Sequence, residues 1–166
     1  MATSTEVAIA TQTLSSAATN ITFTSIPATY TDLRIVFTGT GNGTVFYPTV
    51  QFNSDTATNY SLTEIYGDGT SAASTRTTNG SSIGLARLDG ATSTIPVFIT
   101  LDIFSYAGST YKTTLSTNSS DHNGSGVTES IVGLWRSTSA ITSVKIFDPA
   151  GRSMGTGASA TLYGIN

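Results

Sequence analysis

The one histidine of the chain, His122, lies in Asp121-His122-Asn123-Gly124-Ser125-Gly126, the stretch whose residue types come nearest to chemistry. Oxygen-bearing side chains at alternate positions, followed by glycine, begin a calcium-loop pattern in which hard oxygens surround a hard cation. The pattern stops there. An EF-hand needs a bidentate carboxylate at its twelfth position, and that position is Val132. A catalytic triad needs a histidine beside a nucleophile and an orienting carboxylate. Serine and threonine make up about a third of the chain, so no hydroxyl is singled out. His122 therefore reads as a turn residue.

The other candidates resolve the same way. Asp55, Asp68, Asp89, Asp121 and Asp148 fall at turn positions, where Asp bonds the backbone two residues on. That role accounts for these five of the ten carboxylates without invoking a glycosidase pair. Gly39-Thr40-Gly41-Asn42-Gly43 has the glycines of a phosphate loop, but such a loop must open a helix. Thr44-Val45-Phe46-Tyr47-Pro48 has no helical period, so the run reads as a Gly-rich hairpin turn. Trp135 is a sugar platform or a packing residue, and its neighbours Val132 and Leu134 favour packing. Asn-x-Ser/Thr triplets, for instance at Asn20, Asn42, Asn59 and Asn123, are expected by chance in so hydroxyl-rich a chain. No catalytic residue, cofactor or metal ligand is expected, and the chain reads as a non-enzyme.

Composition narrows the class further. Net charge is −3 with 10 % charged residues, so no nucleic-acid or anionic-membrane partner is indicated. There is no cysteine, which removes disulfides, thiolate zinc sites and thiol catalysis. The hydrophobic fraction of 38 %, with seven Phe and seven Tyr, is too high for a disordered linker. No secretory-signal pattern opens the sequence, and no run approaches the ~20 apolar residues of a membrane helix. At 166 residues one domain, 1–166, is expected, with residues 1–6 as a candidate N-terminal arm.

Thr, Val, Ile, Phe and Tyr are common while strong helix formers are scarce, which predicts an all-β fold. Residues 21–39 organise it: Ile21-Thr22-Phe23 and Leu33-Arg34-Ile35-Val36-Phe37 flank a turn at Pro27, with Leu33, Ile35 and Phe37 on one buried face. Further strands are predicted at 7–14, 45–52, 83–87, 95–104, 111–117, 130–135, 141–147 and 160–165. The segment 60–66 fits a strand or a helical turn equally. Residues 67–82 and 118–126 read as polar loops, and Asp89-Gly90 as a turn. The sum is about nine or ten short antiparallel strands in a jelly-roll-like β-sandwich. In 95–104, Val97, Ile99, Leu101 and Ile103 form one apolar face, yet Phe98 and Phe104 lie on the other. A one-sided sheet keeps that face polar, so a covering loop or another subunit is expected over them. They are the candidate subunit or capsid interface.

Three segments carry a resemblance. Ile21-Thr22-Phe23-Thr24-Ser25-Ile26-Pro27-Ala28-Thr29-Tyr30-Thr31-Asp32-Leu33, Gly133-Leu134-Trp135-Arg136-Ser137-Thr138-Ser139-Ala140-Ile141-Thr142-Ser143 and Thr161-Leu162-Tyr163-Gly164-Ile165 resemble segments of virion proteins of tailed bacteriophages, notably phages of cyanobacteria. They occur here in the order found in that family and span nearly the whole chain. The resemblance implies a virion structural protein at the outer surface of the particle, and carries no catalytic motif. A capsid decoration or cement protein is the expected role. Its partners would be the major capsid protein and further copies of itself, a trimer being one candidate assembly. The alternative is a tail-fibre or tail-appendage module that binds a host glycan through the polar loops 67–82 and 118–126.

Overall fold

Alternating β-branched and aromatic residues build twelve strands and no helix across residues 5–86 and 90–166, which the computed structural model describes. In chain order they are β1 (Glu6–Thr13), β2 (Asn20–Phe23), β3 (Asp32–Gly39), β4 (Thr49–Phe52), β5 (Tyr60–Gly67), β6 (Ala72–Gly80), β7 (Ile83–Gly84), β8 (Val97–Ile103), β9 (Lys112–Asp121), β10 (Gly126–Trp135), β11 (Val144–Phe147) and β12 (Ser159–Ile165). One sheet has eight strands in the order β1-β12-β3-β8-β9-β10-β5-β6, the other four in the order β2-β11-β4-β7. Every pairing is antiparallel.

The strand order contains a jelly roll. Setting aside β5, β6, β9 and β10 leaves β1-β12-β3-β8 facing β2-β11-β4-β7. In this arrangement β1 pairs with β12, β2 with β11, β3 with β8 and β4 with β7, as in a long eight-stranded hairpin rolled on itself. The four remaining strands are two inserted hairpins. β9–β10 adds to β8, and β5–β6 adds to β10, so together they extend one sheet well past the sandwich.

Leu33, Ile35 and Phe37 of β3 pair with Ile103, Leu101 and Ile99 of β8 and are buried against Ile21, Phe23, Val50, Phe52, Val144 and Ile146 of the smaller sheet. This is the sandwich core. On the opposite face Arg34 reaches its cross-strand neighbour Asp102 with a fork, Nε to Oδ1 at 2.7 Å and Nη2 to Oδ2 at 3.2 Å. That bond, more than the nearby Glu6, raises the guanidinium pKa above its usual value.

Several expectations are corrected. Twelve strands replace nine or ten, largely because β6 falls in the stretch 67–82 read as a loop. It is an edge strand of small polar residues, exposed along nearly its whole length, so no apolar alternation marks it. The polar segment 118–126 is in part strand as well: β9 runs to Asp121 and β10 begins at Gly126. Segment 60–66 is strand. Of 45–52 only Thr49–Phe52 is strand, in the interior of the smaller sheet, with Pro48 just ahead of it. The Gly39–Gly43 run crosses between the two sheets instead of closing a hairpin. Glu6 belongs to β1, while residues 1–4 of the expected arm lie outside the described residues. So do Arg87 and Asp89, expected in a strand and a turn.

Candidate interaction surfaces

Among the inserted strands, β9 carries polar residues inward. From β9, Lys112, Thr114, Ser116, Asn118 and Ser120 point in and are buried. Two of them serve backbone: Lys112 Nζ donates to the carbonyls of Gly108 and Thr110 at 2.7 and 2.5 Å, and Asn118 Nδ2 donates to that of Leu85 at 2.8 Å and to the Glu129 carboxylate. Burial pushes the Lys112 amine below its usual pKa. Tyr111 and Leu115, the apolar residues of the alternation read in 111–117, therefore face solvent.

This inversion builds an apolar cluster on the outer face of the eight-stranded sheet. Leu115 and Val132 are direct cross-strand partners, and Ile65 sits diagonally from Val132 on the next strand. They are 37 %, 49 % and 62 % exposed. The sequence held the signal, since Ile65, Val132 and Leu115 all sit in alternating runs. What it lacked was the strand pairing that puts them side by side.

Phe98 and Phe104, the residues expected at an interface, are 49 % and 40 % exposed, so no loop among the described residues covers them. They are six positions apart, roughly 20 Å along an extended strand, and do not form one patch. Phe104 lies just beyond β8. Phe98 is at the other end of the strand, in a cleft of about 820 Å³ between the β5–β6 and β9–β10 turns.

The candidate chemical residues have turn roles. The aspartates at 55, 68, 121 and 148 each accept the backbone N–H two residues on, from Ala57, Thr70, Asn123 and Ala150, at 2.7 to 2.9 Å. His122 lies in the β9–β10 turn, with its N–H donated to the Ser125 carbonyl at 2.7 Å and Nε2 2.6 Å from Ser120 Oγ. Among the described residues no group of three His, Cys, Asp or Glu side chains converges as a metal site.

Trp135 is buried. Its ring stacks near Tyr60 at 6.3 Å and meets Phe52 at 5.6 Å, and Nε1 donates to Asp55 Oδ2 at 2.7 Å. The same carboxylate accepts the Asn59 amide at 2.9 Å; these two bonds, Asn59 first, hold it below its usual pKa. The Tyr60 hydroxyl donates towards the Phe52 and Asp55 carbonyls and accepts the Phe52 N–H at 3.1 Å.

Burial pushes the Tyr60 phenol up from near 10 to about 12, so folding favours the neutral ring. Its stabilising contribution is complete below the unfolded value and is lost as pH rises from about 10 towards 12, by roughly 2–3 kcal/mol at the end of that window. Denaturant unfolding from about pH 9 to pH 12 is expected to show this decline, with a shallower slope for Tyr60→Phe. Equal slopes would refute the assignment.

No family model and no curated protein matches the chain. Among solved structures, a candidate pore-forming toxin of Bacteroides vulgatus aligns over 92 % of this chain and 60 % of its own, at 6 % identity and a TM-score of 0.09. A likeness at that level assigns neither fold nor function, and the jelly roll stands on its strand order.

Proposed function

We propose that the chain is a phage virion structural protein, a capsid decoration protein that sits on the outer surface of the shell and associates with further copies of itself. The observation that carries the reading is the Leu115–Val132–Ile65 cluster, held on the outer face of the inserted strands. A solvated antiparallel face has no need of three adjacent aliphatic side chains. Covering them gains about 1.5–3 kcal/mol for each one fully buried, enough to favour contact with a shell or another subunit. The ordered resemblance to phage virion segments supports the same role. The chain is rich in Thr and Ser and carries few charges, which tolerates dense packing of copies.

Purified protein added to shells lacking it is expected to label the capsid stoichiometrically. Labelling confined to the tail tip would overturn the reading. Val132→Asp places a charge at the centre of the cluster without touching the core, and is expected to lower the mass measured by light scattering and to abolish shell binding. Phe104→Asp is expected to weaken assembly less, because Phe104 lies apart from the cluster. Unchanged mass and shell binding for Val132→Asp would exclude this face as the contact.

A further inference from the structure

The cleft at the far end of β8 has a different chemistry from the apolar cluster. Phe98, Ser119 and Thr128 are successive cross-strand partners on β8, β9 and β10, so ring and hydroxyls lie in one outward row, about 4.8 Å apart from strand to strand. Among the described residues neither the Ser119 nor the Thr128 hydroxyl has a protein hydrogen-bond partner. Asp121 uses Oδ1 to cap Asn123, which leaves Oδ2 for another donor.

The opposite wall is a rigid turn. Asp68 Oδ1 accepts the N–H groups of Thr70 and Ser71 at 2.8 and 2.7 Å and the Thr70 hydroxyl at 2.8 Å. These bonds, that from the Ser71 backbone foremost, hold the carboxylate ionised well below the usual range. Among the described residues no Lys or Arg lines the cleft.

We propose that this cleft binds a neutral saccharide, with the face of Phe98 against the C–H face of a pyranose and its hydroxyls bonded to Ser119, Thr128 and Asp121. An exposed aromatic ring flanked by unengaged hydroxyls and a carboxylate matches a ligand that is apolar on its faces and rich in donors at its edges. Two carboxylates without a cation disfavour acidic sugars by charge. The volume is in the range of small-ligand sites, and the row from Phe98 to Thr128 is long enough for two linked rings. The site is separate from the Leu115–Val132–Ile65 cluster and does not depend on shell binding.

The test titrates the isolated protein with maltotriose, cellotriose, chitotriose and mannotriose, and with sialyllactose as an anionic counterpart, following backbone amide shifts by NMR. At least one neutral trisaccharide is expected to saturate below about 10 mM, with shifts centred on residues 68–70 and 119–128. Phe98→Ala is expected to weaken that binding at least about tenfold, Phe98→Tyr to retain it, and Val132→Asp to leave it unchanged. No saturable binding by any neutral sugar, shifts elsewhere, equal binding of sialyllactose, or an unaffected Phe98→Ala variant with intact circular dichroism would each overturn the proposal.

Discussion

Trp135→Ala is expected to cost about 3–5 kcal/mol of folding stability, the range for removing a fully buried large aromatic side chain. The ring lies where the inserted β10 meets the sandwich, touching Phe52 of the smaller sheet and Tyr60 of the other inserted hairpin. Its loss opens a cavity between three elements and removes one donor from the Asp55 carboxylate. For a domain of this size the melting temperature is expected to fall by roughly 10 °C. Trp135→Phe separates the terms: it keeps most of the apolar volume and loses the Nε1 bond, at about 1–2 kcal/mol. Denaturant unfolding followed by circular dichroism measures both, and a loss under about 1 kcal/mol for Trp135→Ala would mean that this junction is not packed as described.

Gly41→Ala is the second large effect. A Cβ there would lie 2.0 Å from the Thr44 carbonyl oxygen and 2.9 Å from that of Ala91. Both are backbone atoms, and the surroundings are pinned: Gly41 N–H donates to Thr92 O at 2.8 Å, Asn42 N–H to Ser153 O at 3.0 Å and Phe46 N–H to Ala91 O at 2.8 Å. Relief requires moving three chain segments at once, so a loss above about 3 kcal/mol is expected, beyond ordinary overpacking. Gly43, two residues on, is the control. It has φ of +75° and open space around it, so Gly43→Ala is expected to cost only the left-handed backbone term of about 1–2 kcal/mol. If the two variants unfold at the same denaturant concentration, the close approach at Gly41 is wrong.

That glycine run also illustrates what was legible in the sequence. The absence of a following helical period was enough to reject a phosphate loop, yet a hairpin turn was the wrong replacement. Close approach between distant segments leaves no local mark, because it depends on what Ala91 and Ser153 do. The buried faces of β3 and β8 were readable from strict alternation, since both strands lie over a purely apolar core. β9 defeated the same rule. Its inward residues are polar, with Lys112 and Asn118 bonding carbonyls of the loops beneath them, and the same alternation leaves Leu115 to face outward. The interaction surfaces were legible only in part for that reason: Phe98 and Phe104 stood out within one strand, whereas the aliphatic cluster and the sugar cleft exist only across strands.

The position of β12 has a bearing on how the chain is made. This strand lies between β1 and β3 and pairs with both, although some 120 residues separate it from β3 in sequence. Until residue 165 has left the ribosome, β1 and β3 each present an open row of amides and carbonyls where β12 will lie. Hydrophobic Leu33, Ile35 and Phe37 line one of those open edges. Nascent chains therefore pass through an interval of high aggregation hazard, and completion of the large sheet waits for the last of its strands to emerge. Slow elongation or crowded polysomes extend that interval, so yield is governed by the time β3 waits for its neighbour as well as by the stability of the finished sandwich.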